Sequence, residues 1–247
     1  MKDEQKRASV NVKTTLVCNP GTGICQFSPV MDSVINFLPS KCTVFQREIN
    51  ADPWNYKAWY SLLSEIASLS ESTIQNIDKP SVESLFKQAL ENYPADGKFW
   101  LIYAEYVYKN KNFSMLEEIF AQSLPCVINC TDLWKLYLKY VKETNVPSTN
   151  EDIQVQKDKR SLVIKAYEAA IASIGCSPFS GSLWQDFIDY IKSLQAESFY
   201  EEQQNVDLLR KIYSRAIQIP TASIESIWRE FDAFENQLNK LTVTCFV

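Results

Sequence analysis

The sequence predicts an all-α protein, a solenoid of tandem helix–turn–helix repeats. Three observations carry that expectation. Five of the six tryptophans recur at a loose, repeat-like spacing, a second motif of an aromatic followed by a small residue alternates with them, and only 5 of 247 residues are glycine. Scarce glycine suits helices joined by short polar loops better than a sheet with many tight turns.

The first helix of each unit is marked by tryptophan. Trp59, Trp100, Trp134, Trp184 and Trp228 lie 41, 34, 50 and 44 residues apart. A large apolar residue stands three positions after each one: Leu62, Tyr103, Tyr137, Phe187 and Phe231. Four copies add an aromatic three residues further on, at Tyr106, Tyr140, Tyr190 and Phe234. Steps of three and four share one face of a helix. In the segment Leu133–Val141 only two lysines break the apolar surface, so its helix must be covered on two sides, as in a stack of repeats.

The second helix follows the order aromatic, two variable residues, small residue, then Leu or Ile. It occurs at Phe86/Ala89/Leu90, Phe120/Ser123/Leu124, Tyr167/Ala170/Ile171 and Tyr213/Ala216/Ile217. A small side chain one turn after an aromatic lets a neighbouring helix approach closely. Pro94, Pro125, Pro178 and Pro220 come soon after these copies, and proline cannot continue a helix. Four two-helix units and the first helix of a fifth are therefore expected.

The pairing of Trp-x2-Tyr/Phe with Lys211-Ile-Tyr-Ser-Arg-Ala-Ile217 resembles the half-a-TPR, or HAT, repeat. Phe99–Glu105, Asp132–Thr144, Ser182–Lys192 and Ile227–Glu235 are similar to the N-terminal HAT region of the suppressor of forked family, the large scaffold subunits of cleavage stimulation factor. Asn50-Ala-Asp-Pro53 resembles the turn before that family's first Trp helix. The resemblance implies a right-handed superhelical solenoid over residues 45–240. It leaves residues 1–44 as an irregular, disorder-prone lead-in and residues 241–247 as a tail outside the family. It further implies that Trp228 opens a helix whose partner is not in the sequence, and that the family's dimer-forming repeats lie beyond it. With Trp228, Phe231 and Phe234 uncovered, that end is expected to be sticky or frayed.

Composition narrows the function. The formal net charge is -5 and the pI about 5.0, with cations interleaved among acids, which argues against a duplex or an anionic membrane as direct ligand. There is no histidine, which removes the usual general base, every Ser-His or Cys-His nucleophile and mixed Cys/His zinc sites. The seven cysteines include no C-x2-C pair and suit a reducing compartment. Asn19-Pro-Gly-Thr-Gly23 lacks the lysine of a phosphate loop. Adjacent acids such as Glu117-Glu118 and Glu201-Glu202 diverge by about 100° on a helix and do not converge on one substrate. No catalytic residue, cofactor or metal is expected.

The polar segment Lys142–Arg160 is expected to be a long surface insertion, either mobile or partner-docking. The resemblance implies a nuclear scaffold that binds other protein subunits of the mRNA 3′-end cleavage and polyadenylation machinery, with RNA contact indirect or weak. A HAT scaffold of spliceosome assembly or ribosomal-RNA processing, and a single-stranded RNA-binding module, are the alternatives. Which residues contact a partner is not legible.

Overall fold

A computed structural model describes residues 40–69, 79–127, 129–146, 152–196 and 198–244. These residues form ten helices and no strand. In chain order they are α1 (Ser40–Ala51), α2 (Tyr56–Ser68), α3 (Lys79–Asn92), α4 (Gly97–Lys109), α5 (Phe113–Cys126), α6 (Thr131–Thr144), α7 (Ile153–Ile174), α8 (Gly181–Ser193), α9 (Phe199–Ala216) and α10 (Ile224–Thr244). The Trp helices are α2, α4, α6, α8 and α10, and the aromatic-small helices are α3, α5, α7 and α9, in the alternation the sequence predicts.

Neighbours in sequence are neighbours in space. α4 packs on α5, α6 on α7 and α8 on α9, while among the Trp helices α2 packs on α4 and α4 on α6. One apolar core runs through all these units, as stacking requires when no single unit can bury its own apolar face. Local chemistry sets the helix starts. Asn55, Asp96 and Ser198 accept hydrogen bonds from the N–H groups of Ala58 (3.1 Å), Lys98 (2.8 Å) and Glu201 (3.2 Å), each satisfying an orphan donor of the first turn.

The structure departs from the sequence-based expectations in four places. Residues 40–44, assigned to an irregular lead-in, are the first turn and more of α1, while residues 1–39 lie outside the described residues. Helix α1 carries the second-helix frame at Phe45 and Ile49, with Glu48 where the other copies have a small residue. Glu48 is exposed, whereas Ala89, Ser123, Ala170 and Ala216 are fully buried. The position needs a small side chain only where a helix lies over it, which is why the motif missed this copy.

Pro125 does not end its helix: it sits in the last turn of α5, which closes when Val127 N–H donates to Ser123 at 2.9 Å. Of the segment Lys142–Arg160, expected to be an insertion, residues 142–144 and 153–160 are helical. α6 runs to Thr144 and α7 begins at Ile153, so the extra length lies in a 22-residue second helix. Finally, α10 continues to Thr244, through the start of the presumed tail.

Candidate functional site

Each joint between units is a clasp of aromatic rings. The aromatic of one second helix lies against the rings three and six residues after the tryptophan of the following helix. Phe86 stacks on Tyr103 at 4.8 Å between centroids and meets Tyr106 at 5.3 Å. Tyr167 stacks on Phe187 at 4.7 Å and meets Tyr190 at 5.6 Å. Tyr213 stacks on Phe231 at 5.1 Å and meets Phe234 at 5.7 Å. At the second joint Phe120 meets Tyr137 edge-on, at 72° and 5.3 Å, with Tyr140 at 6.0 Å. Rings in such geometries add about 0.5–1.5 kcal/mol per pair beyond their burial.

The tryptophans close the turns before their own helices. Trp59 Nε1 donates to the carbonyl of Pro53 at 2.9 Å, and Trp100 Nε1 to that of Pro94 at 2.8 Å, each six residues back. Trp184 Nε1 reaches Gly175 at 3.1 Å. Trp134 is the exception: its Nε1 is buried without a hydrogen-bond partner among the described residues. Trp59, Trp100, Trp134 and Trp184 are buried, whereas Trp228 is 54% exposed. Phe231 and Phe234 are partly buried against Tyr213, so the predicted apolar end is reduced to Trp228, which with Ile217 and Ile224 lines an open groove.

Glycine marks another close approach. Gly97 and Gly181 each stand three residues before a tryptophan. A Cβ on Gly97 would meet Cys130 Cβ and Val127 Cγ1 at 2.8 Å, and one on Gly181 would meet Ser223 Oγ at 2.6 Å. The turn of the following unit therefore presses on the start of each helix.

A polar lock accompanies the clasp in the second half of the stack. Lys142 of α6 donates to both carboxylate oxygens of Asp186 on α8, at 2.8 and 2.9 Å, and the Tyr167 hydroxyl of α7 donates to Asp186 at 2.6 Å. The arrangement recurs one unit later. Lys192 of α8 pairs with Glu230 of α10 and lies 5.6 Å from the Tyr213 ring of α9. The Tyr213 hydroxyl sits beside that pair without a well-aligned bond to either partner. Lysine stands eight residues after one tryptophan and the acid two after the next.

Where the clasp residue is phenylalanine, those positions hold Ala67 and Ile102 around Phe86, and Tyr108 and Leu136 around Phe120. Hydroxyl, cation and acid come and go together. Motif reading missed the locks because their members belong to three helices, but counting both offsets from tryptophan recovers them.

Electrostatics follow from these contacts. Burial and then the Asp186 hydrogen bond push the Tyr167 hydroxyl far above its ordinary pKa. Burial alone would raise the Glu230 carboxyl, yet the hydrogen bonds from Lys192 and Gln185 hold it below its ordinary value. On the other flank of α10, Arg210 grips Glu235 through two bonds of 2.7 and 3.0 Å and lowers its pKa.

Apart from the exposed Trp228, the positions singled out in the sequence lie buried or partly buried at the joints between helices. Among the described residues no three His, Cys, Asp or Glu side chains cluster as a metal would require, and no helix is long and apolar enough to cross a membrane. Trp54, Tyr56 and Tyr60 are exposed around the α1–α2 turn, with Tyr93 against Trp54 and Tyr56. A groove of about 530 Å³ opens beside the edge-on Phe120–Tyr137 joint and is walled by Leu162 of α7.

Residues 40–247 match the sequence model of the family described as Suppressor of forked protein (Suf). This chain belongs to the suppressor of forked family. The match takes in residues 40–44 and 241–247, so the family region is wider at both ends than the 45–240 read from motifs. Among its relatives, the mRNA 3′-end-processing protein rna14 of Schizosaccharomyces pombe is 32% identical over 200 residues, 81% of this chain and 25% of the relative. The RNA14 protein of Yarrowia lipolytica is 33% identical over 204 residues, 83% of this chain and 24% of that protein. Protein suppressor of forked of Drosophila melanogaster is 29% identical over 196 residues, 79% of this chain and 23% of that protein. The chain spans about a quarter of the length of these suppressor of forked relatives.

Proposed function

We propose that this chain is a non-catalytic protein–protein interaction scaffold of nuclear pre-mRNA 3′-end cleavage and polyadenylation. The observation that supports it most is the family match over residues 40–247, to relatives two of which are named for mRNA 3′-end processing. The architecture agrees with the reading. Its four buried tryptophans and its ring clasps are consumed in holding the units together, while grooves and exposed aromatics remain for partners. RNA contact is indirect on this reading, because a net charge of -5 opposes the counterion release that drives phosphate binding.

The test is capture of partners from nuclear extract on the immobilised chain, with nuclease present. Recovery of subunits of the cleavage and polyadenylation machinery is the expected result. Recovery of splicing or ribosomal-RNA processing factors in their place, or tight binding of single-stranded RNA that weakens steeply with salt, would contradict it.

A further inference from the structure

Helices α7 and α9 are longer than the Trp helices α6 and α8 that precede them, at 22 and 18 residues against 14 and 13. In both, the N-terminal turns are the least covered: burial in α7 begins at Val163 and in α9 at Leu209. The two overhangs are tied to each other. Lys157 of α7 pairs with Glu201 of α9 at 2.7 Å, and Arg160 donates to the carbonyl of Gln195 at 3.2 Å. Between them runs a groove of about 600 Å³.

The groove is amphipathic. Ile164 and Leu194 contribute partly buried aliphatic surface. Tyr200 lines it while 71% exposed, and its neighbour Phe199 is 81% exposed. Two aromatics at the start of a helix and this far into solvent contribute almost nothing to the fold. The charge is one-sided. Lys157 is matched by Glu201, but neither Arg160 nor Lys165 pairs with a carboxylate among the described residues. Glu202, on the next face of α9, lines a different groove. An acidic chain therefore carries here an amphipathic groove lined by Lys157, Arg160 and Lys165 against the one acid Glu201.

We propose that the α7–α9 groove is a docking site for an acidic protein segment bearing apolar side chains. Such a segment would set its apolar groups on Ile164, Leu194 and Tyr200 and its carboxylates on Arg160 and Lys165. Complementary charge would select acidic partners and speed encounter, while the apolar contacts would supply most of the affinity. Two unpaired cations are too few for the multiple phosphate contacts that drive nucleic-acid binding, so a protein segment fits better than RNA. The proposal rests on the scaffold reading above, and on residues left out of the core.

The test uses the full chain and defined probes: a peptide of about 15 residues, roughly 22 Å as a helix, with Leu/Phe spaced three and four apart on one face and Asp/Glu elsewhere; its counterpart with Lys for every acid; a version with Ser for every apolar residue; and an oligouridine of matched length. At about 0.15 M salt the acidic-apolar peptide should bind at least about tenfold more tightly than the other three. Lys165→Glu, and separately Phe199→Ser with Tyr200→Ser, should each weaken it by about tenfold with thermal unfolding unchanged. Equal binding of the lysine peptide, binding indifferent to these substitutions, tighter binding of oligouridine, or no binding at all would overturn the proposal. Nuclear-extract capture by the same variants separates the two readings. If the wild-type chain recovers 3′-end-processing subunits and the variants do so equally, the scaffold stands and this groove is not its docking site.

Discussion

At the scale of single residues, tryptophan has two fates in this chain, and burial decides between them. Trp184 is 1% exposed with its indole N–H satisfied by Gly175, so Trp184→Ala removes both a large buried surface and a partner for that carbonyl. A loss of about 3–5 kcal/mol is expected in urea unfolding. Trp54 is 66% exposed, and Trp54→Ala should stay within about 0.5 kcal/mol. Equal losses would show that the tryptophan periodicity is unrelated to packing. The small positions allow a finer test. Ser123 is fully buried with no partner for its hydroxyl, at a site where three other copies carry Ala89, Ala170 and Ala216. Ser123→Ala removes an unsatisfied polar group and should raise stability by about 1 kcal/mol. A loss of that size would mean that the hydroxyl has a role the packing does not reveal. These residues were legible in the sequence because a core aromatic and its small neighbour obey the helical period, whichever unit holds them. Lys142, Asp186, Lys192 and Glu230 were not. A charge on a helix ordinarily means solvent, and only the meeting of three helices gives these four their partners.

At the scale of the element, α10 carries the clearest pH dependence. It is held by the Tyr213 clasp, by Lys192–Glu230 and by Arg210–Glu235. Both carboxyls have folded-state pKa values below their ordinary ones. A carboxylate lowered on folding stabilises the folded form above its unfolded pKa, and that contribution is lost as pH falls through the folded value. Hydrogen exchange in residues 227–238 should therefore show protection at neutral pH, weakening below about pH 4. Glu230→Gln with Glu235→Gln should abolish the acid-dependent part. If protection is absent at neutral pH, this end is frayed, as an uncovered apolar helix face would suggest. If it persists unchanged into acid, the ion pairs do not hold the helix. Since these pairs are partly exposed, they act more on register than on stability, each contributing about 0–1 kcal/mol. Helix α7 is where sequence reading was weakest. Its first two turns are rich in Gln, Lys and Asp and follow Pro147 and several polar residues, so they resemble a loop. They are helical all the same, beyond the last neighbour that would have imposed an apolar stripe.

At the scale of the whole molecule, the chain is a line of units in which each touches little beyond its neighbours. The alternation from α2 to α10 was readable, because the four joints among these helices reuse one solution: the aromatic of a second helix set against two rings of the next, with a small residue buried one turn on. What the surfaces do was not readable. Exposed side chains obey no period, and the α7–α9 groove exists only once two helices have been laid side by side. Stability in such a line of units is local to the joints, and native-state hydrogen exchange on Tyr167→Ala checks this. The substitution empties the clasp on Phe187 and Tyr190 and breaks the bond to Asp186. Protection should fall first and furthest in α6, α7 and α8, with α2 and α4 retaining most of theirs, as expected when interactions pass only between adjacent units. A uniform fall across all helices would instead describe a single cooperative globule and would contradict the account.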